Sequence, residues 1–123
     1  MEGSILDIFV KAYVGVALWS STDDKGNFLS MNYDYGLESF SEREQTFMKQ
    51  ECKAFLLKAM NMIKPHQLEQ AGHDFWLTRN GHGTGFWDRK EVWGTHSLEL
   101  SQIAVSFGTR EIMEAEDFKL TYY

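Results

Sequence analysis

The chain has 123 residues, of which 43% are hydrophobic and 15% aromatic, so we expect one globular domain over residues 1–123 and exclude intrinsic disorder. Its formal net charge of −6 at pH 7 argues against nonspecific binding to a phosphate backbone, which needs clustered Lys and Arg. A single cysteine, Cys52, excludes an intramolecular disulfide and a multi-cysteine zinc site. The acidic balance instead favours binding to proteins with basic surfaces.

The N-terminal segment lacks the pattern of a secretory signal, because Glu2 and Asp7 interrupt the basic-then-apolar order that such signals have. The apolar run over residues 8–19 is too short and too amphipathic to span a bilayer. We therefore expect no membrane partner and a reducing cytoplasm, in which Cys52 is a buried structural thiol.

Apolar residues recur at three- and four-residue spacing over residues 4–19 and predict a first helix, with Ser4 as its N-cap. A polar stretch that contains Gly26 ends this helix in a turn. The following residues, 28–35, are rich in Tyr and Asn and are either irregular or a short edge strand.

A second helix begins at a capping box, formed either by Ser39 with Glu42 or by Ser41 with Glu44. Pro65 ends this helix and opens a short turn through residue 68. The face predicted to be core comprises Phe47, Met48, Cys52, Phe55, Leu56, Ala59, Met62 and Ile63.

Residues 73–89 read HDFWLTRNGHGTGFWDR, with three glycines in five residues between two aromatic arms. Glycine permits positive φ in tight turns, so this segment predicts a hairpin whose first arm holds residues 74–79 and whose second holds residues 86–89. Its concentration of aromatic and charged side chains predicts that this segment forms the functional surface of the protein.

A third helix is expected from an N-cap at Thr95 to Phe107, with Gly108 as the C′ residue. Its inward-facing residues are predicted to be Leu98, Ile103, Ala104 and Phe107. The tail offers two strands, residues 109–114 and 118–123, joined near residues 116–117. We predict an α+β fold, with about three helices packed on a small antiparallel sheet that contains the glycine-rich aromatic hairpin.

The run AGHDFWLTRNGHG over residues 71–83, followed by GFWDR over residues 85–89, resembles a widespread family of small phage-encoded proteins of unassigned function. Those relatives usually have Ala at the position of Thr84. The segment ALWSSTDD over residues 17–24 and the following Asn32 and Tyr33 resemble the same family. The tail departs from it, since relatives tend to have a Gly- and Asp-rich hairpin where this chain has residues 114–118.

This resemblance implies a bacteriophage or prophage origin and a location in the host cytoplasm. Small phage proteins without an enzyme motif often bind host machinery, including defence systems, so the expected function is that of a viral accessory protein in a host–virus interaction. Its partner would be a host protein or protein complex, with inhibition of a defence or nucleic-acid-processing complex as the consequence. The residues predicted to form the recognition surface are Arg79, Asn80, His82, Trp87, Asp88 and Arg89.

Three alternatives remain open from the sequence. Single-stranded nucleic acid or a nucleotide would stack on aromatic side chains of the hairpin while basic side chains contact phosphate. The stacking residues would be Trp76, Phe86 and Trp87, and the basic ones Arg79, Arg89 and Lys90. A small hydrolase would use His82 with Asp74 or Asp88, although a binding role is favoured over catalysis. A homodimer would form through the edge of the C-terminal strand. No cofactor is expected, and no metal site, because the histidine and aspartate spacing matches no known ligand pattern.

Overall fold

The computed structural model describes residues 3–23, 25–31, 33, 36–115 and 119–123. The α-helices in these residues are α1 (Gly3–Ser20), α2 (Glu42–Ala59), α3 (Leu68–Arg79), α4 (Lys90–Trp93) and α5 (Ser97–Ser106). Two strands, β1 (Ile112–Glu114) and β2 (Leu120–Tyr122), pair in antiparallel register with Ile112 opposite Tyr122. The protein is therefore mostly helical with a small antiparallel sheet, which agrees with the predicted α+β class.

The helices α1 and α3 make the most extensive contact between two elements of the structure. Gly72 permits this close packing, because a Cβ atom at this position would lie 2.6 Å from the carbonyl oxygen of Phe9 and 2.9 Å from the Cβ of Ala12. Seven side chains of α1 are buried. By length and composition alone, α1 could cross a membrane, with a mean hydropathy of 1.3 over 18 residues, so the expectation that its apolar run is too short and too amphipathic is wrong on this criterion. Of those residues, 39% are buried inside the protein.

Stacked phenylalanines from four elements form the centre of the core. Phe55 of α2 stacks on Phe75 of α3, with ring centroids 4.2 Å apart, and also contacts Phe9 of α1 and Phe86 of a 3-10 turn. Most of the predicted core face of α2 is buried, including Cys52, which confirms the structural thiol. Phe47 is an exception, since it lies largely exposed.

The predicted aromatic hairpin is wrong. Its first arm lies in α3, and its second arm is a 3-10 turn over Phe86–Asp88, so the sheet contains neither. Nine of the twelve residues of α3 are buried, and a helix buried on nearly all sides lacks the apolar and polar faces that reveal helical periodicity. The glycines do turn the chain, with positive φ at Gly81 and Gly85, and Thr78 Oγ1 then accepts a hydrogen bond from the backbone N–H of Phe86.

The structure tests the N-caps predicted for the first two helices. Ser41 is the N-cap of α2 and accepts a hydrogen bond from the backbone N–H of Glu44, so the helix begins at the second of the two predicted caps. Ser39 instead lies in a 3-10 turn, Gly36–Ser39. Ser4 is not an N-cap, because α1 already includes Gly3.

In the C-terminal third of the chain, α5 begins later than the helix predicted from the sequence. A 3-10 turn, Gly94–His96, precedes α5, so Thr95 is not its N-cap. Of the predicted inward-facing residues, Ala104 is buried and Ile103 and Phe107 pack against the core, whereas Leu98 is exposed and Leu100 is buried in its place. Gly108, with φ of +76°, follows the helix as predicted. Both tail strands are confirmed in shorter form, while their predicted junction at residues 116–117 lies outside the described residues.

Replacement by alanine is expected to have opposite effects on stability at Gly15 in α1 and at Gly72 in α3. Gly72→Ala is expected to lower the free energy of unfolding by about 1–3 kcal/mol, because the added Cβ meets the backbone of α1. Gly15→Ala is expected to raise it by about 0.5–1 kcal/mol, because its Cβ would meet nothing within 4 Å and alanine favours a helix. Urea denaturation of both variants measures these changes, and a change of the same sign in both would contradict the packing described.

Candidate functional site

A groove of about 720 Å³ opens where α1, α3 and the glycine turn of residues 80–85 meet. We call it the α1–α3 groove, and its lining residues are Gly15, Val16, Trp19, Ser20, His73, Leu77, His82, Gly83, Thr84 and Arg89. An adjoining hollow of about 450 Å³ shares Gly15 and His73 with it and continues past Ile8 of α1. The two together form a depression along the boundary between the helices.

One end of the groove carries an exposed aromatic pair. Trp19, in the last turn of α1, is 66% exposed and stacks on the exposed Phe28, with ring centroids 6.0 Å apart and planes 7° apart. The neighbouring Ser20 is fixed, because its Oγ accepts a hydrogen bond of 2.9 Å from the indole N–H of Trp76. This end of the groove therefore presents an indole ring from a well-anchored helix terminus.

Arg89 is held at the groove by a buried carboxylate. Asp74 of α3 is fully buried, and its oxygens accept hydrogen bonds of 2.8 Å from Arg89 Nε, 2.8 Å from Trp93 Nε1 and 3.1 Å from Gln70 Nε2. Within the described part of the chain, Nη1 and Nη2 of Arg89 make no hydrogen bond. The guanidinium is thus oriented through one nitrogen and keeps the other two available to a ligand.

The described lining of the α1–α3 groove includes one guanidinium, that of Arg89, whose charge is balanced by the ion pair with the buried Asp74. None of the ten lining residues of the groove is acidic, whereas the chain has a formal net charge of −6. Arg89 supplies a permanent positive charge there, and His73 and His82 supply imidazole nitrogens. The groove therefore offers hydrogen-bond donors beside the apolar side chains of Val16 and Leu77.

Arg79 does not belong to this surface. It is only 2% exposed, and its Nη1 and Nη2 donate to the two carboxylate oxygens of Glu51, each at 3.2 Å. Its Nε donates to the carbonyl oxygen of Gly108 at 2.8 Å, and Nη2 also donates to that of Phe107 at 3.0 Å. This burial corrects its prediction as a recognition residue, because a partner cannot reach a guanidinium whose nitrogens all donate inside the protein.

The buried cluster around Arg79 sets the protonation of its neighbours. Burial by itself raises the pKa of Glu51, but hydrogen bonds from Arg110, Arg79 and Tyr122 outweigh it, so that this pKa lies below its ordinary value. Burial raises the pKa of Tyr122, and the hydroxyl of this residue donates a hydrogen bond to Glu51 Oε1. Burial also raises the pKa of Cys52, which keeps this thiol protonated and therefore a weak nucleophile.

The other predicted site residues are distributed over the surrounding surface. Asn80 follows α3, where its Nδ2 donates to the carbonyl oxygen of Trp76 and its Oδ1 accepts from the backbone N–H of Arg110. Asp88 closes the glycine turn by accepting from the backbone N–H of Gly85, a hydrogen bond that lowers the pKa of its carboxyl.

Trp87, 49% exposed, lines a separate hollow with Lys90 and Leu98. The α1–α3 groove therefore contains His82 and Arg89 from the predicted set, while Asn80, Trp87 and Asp88 do not line it.

The geometry gives little support to the hydrolase and the nucleic-acid alternatives. Asp74 is occupied by Arg89, Trp93 and Gln70, and no ion pair joins a histidine to a carboxylate among the described residues. In the same residues, no group of three or more His, Cys, Asp or Glu side chains could hold a metal ion. Of the aromatic side chains proposed to stack on bases, Trp76 and Phe86 are buried in the core.

Trp19 and His73 are among the groove residues that the predicted recognition surface lacks. The sequence predicts that Trp19 ends the first helix. Trp19 lies outside the apolar stripe of that helix that is predicted to be buried, and this position indicates that its side chain is exposed. No family model, curated protein or solved structure matches this chain. The assignment of the site therefore depends on its geometry and chemistry.

The ion pair between Glu51 and Arg79 predicts a specific loss of stability in acid. Glu51→Gln is expected to lower the free energy of unfolding at pH 7 by about 3–5 kcal/mol, because it leaves a buried guanidinium without its countercharge. In the wild type, this contribution is complete above the ordinary value of 4.5 and is lost as the pH falls through the lowered pKa of Glu51.

Urea denaturation between pH 7 and pH 3 measures this dependence, and the exposed Glu99→Gln serves as the control. We expect the difference in stability between wild type and Glu51→Gln to shrink below pH 4.5. A difference that stays constant down to pH 3 would show that the charge of Glu51 is not what stabilises the fold.

Proposed function

We propose that this protein acts by binding, and that its ligand is a segment of a partner protein seated in the α1–α3 groove. The observation that carries this proposal is the exposure of Trp19 at the end of the groove. Tryptophan contributes disproportionately to protein interfaces, because its large ring buries much apolar area at a small cost in conformational entropy. Stacking on Phe28 holds this ring in place before a partner arrives.

The surroundings of Trp19 support a protein partner. Phe28 and Met31 are also exposed, so the apolar surface extends beyond the groove itself. An exposed group of large apolar side chains on a folded protein is typical of an interaction site. The groove walls are helices packed through the core, and such rigid elements hold binding side chains more accurately than loops do.

The sequence resemblance supplies a biological setting for this proposal. If the chain is a phage accessory protein, its partner is a protein or complex of the bacterial host, met in the host cytoplasm. Inhibition of a host defence or nucleic-acid-processing complex would then follow from occupying a surface that the complex needs. Binding to single-stranded nucleic acid is less well supported, because the aromatic side chains proposed for stacking are mostly buried.

The test is selection of random peptides, displayed on yeast, against the immobilised full chain, followed by fluorescence anisotropy with the enriched peptides. Trp19→Ala is expected to weaken their binding at least 30-fold, the loss that corresponds to about 2 kcal/mol at an interface hot spot. Trp87→Ala is the matched control, since this tryptophan is also exposed but lines another hollow, and we expect it to bind normally.

Equal losses in the two variants would place binding elsewhere or indicate nonspecific adhesion to tryptophan. Failure to enrich any peptide, or peptide binding that Trp19→Ala leaves intact, would contradict a groove for protein segments.

A further inference from the structure

Gly15 lies where the α1–α3 groove meets its adjoining hollow, in the interior of α1. Glycine lowers the stability of a helix interior, so a glycine there usually serves close packing, as Gly72 does. At Gly15, however, a Cβ atom would meet nothing within 4 Å, so no other part of the described chain requires its absence. The open space above this glycine is available to the backbone of a ligand.

Arg89 provides a polar group that a ligand can bind at this groove. Its guanidinium is oriented by the 2.8 Å hydrogen bond from Nε to Asp74, with the two terminal nitrogens unused within the described chain. Two terminal guanidinium nitrogens match the two oxygens of a carboxylate, which they bind in a bidentate manner. His73 and His82 line the same groove, and none of its described lining residues is a carboxylate. The carboxylate of Asp74 pairs with Nε of Arg89, so an incoming anion is expected at the two terminal nitrogens.

We propose that the α1–α3 groove binds an acidic peptide segment of the partner. A Glu or Asp of the segment pairs with Arg89, its backbone passes over Gly15, and a neighbouring apolar side chain packs on Val16 and Leu77. This inference rests on the proposed function, namely that the groove holds a segment of a protein. It adds the chemical class of that segment.

The charges favour a peptide with one or two carboxylates over a nucleic acid. Among the described residues, Arg89 is the one permanent cation that lines the groove, and the adjoining hollow adds one amine, Lys11, together with one carboxylate, Glu69. One guanidinium is sufficient for one carboxylate, whereas a phosphate backbone needs several cations in register. The net charge of −6, from which the sequence predicts a basic partner, repels every anion at long range, but it repels a peptide with one or two carboxylates far less than a polyanion.

The experiment compares two fluorescent nonapeptide libraries that are random except at the central position, which is Glu in one and Gln in the other. Binding of each library to the full chain is measured by anisotropy for wild type, Gly15→Glu and Gly15→Lys. Both variants add a long side chain at an exposed helical position with no neighbour within 4 Å, and both residues favour a helix more than glycine does. They therefore differ mainly in the sign of the charge placed on the groove.

For wild type, we expect the Glu library to bind at least 10-fold more tightly than the Gln library. Gly15→Glu should weaken binding of the Glu library at least 10-fold, while Gly15→Lys should bind it at least 5-fold more tightly than Gly15→Glu does. Arg89→Lys keeps a cation beside Asp74 but loses the paired terminal nitrogens, so it should reduce the preference for Glu over Gln at least 5-fold. Thermal melting confirms that each variant is folded.

The outcomes separate this inference from the proposed function. Equal binding of both libraries, lost in Trp19→Ala, would retain the protein-binding groove and overturn its preference for acidic segments. Absence of binding by either library would overturn the proposed function itself. Tighter binding of a fluorescent thymidine 12-mer than of the Glu library would overturn the inference in favour of nucleic acid.

Discussion

The buried guanidinium of Arg79 is the interaction on which the rest of the fold depends. A buried charge is costly unless it is paired and hydrogen-bonded, and here every nitrogen of the guanidinium donates to an acceptor. Those acceptors belong to Tyr13 of α1, Glu51 of α2, Tyr122 of β2 and the backbone after α5. Strands of three residues are too short to be stable alone, and the hydrogen bonds of Tyr122 with Glu51 and Tyr13 join the small sheet to the helices. Burial of Ile112 and Leu120 in the core adds to this attachment.

The helix α3 carries a second buried charge, and this one connects the core to the candidate site. Asp74 and Arg79 are five residues apart and reach different partners, Arg89 at the groove and Glu51 in the core. Because both side chains are fixed by the same helix, the position of the groove lining follows from the packing of α3 against α1. Gly72 allows that packing, so the site is a consequence of the contact between these two helices.

The sequence predicted α1 and α2 well, because each has a polar face that makes its apolar spacing visible. It failed for α3, where burial on nearly all sides, including that of Asp74 and Arg79, removes the contrast on which periodicity depends. The glycine turn was correctly recognised, although it joins a helix to a 3-10 turn. Within the site, His82 and Arg89 were found from local composition, whereas the burial of Arg79 depends on Glu51, 28 residues away, which local composition cannot reveal.

The two arginines of the same motif show how a structural residue is distinguished from a binding residue. Arg79 uses all three nitrogens inside the protein, while Arg89 uses only Nε among the described residues. A carboxylate that pairs with Arg89 would therefore meet a guanidinium already oriented by Asp74, and little side-chain entropy would be lost on binding. Since Asp74 is also held by Trp93, the orientation of Arg89 is set by the core and does not depend on the ligand. This preorganisation is the physical reason for proposing recognition at Arg89, whereas the buried hydrogen bonds of Arg79 indicate a role in stability.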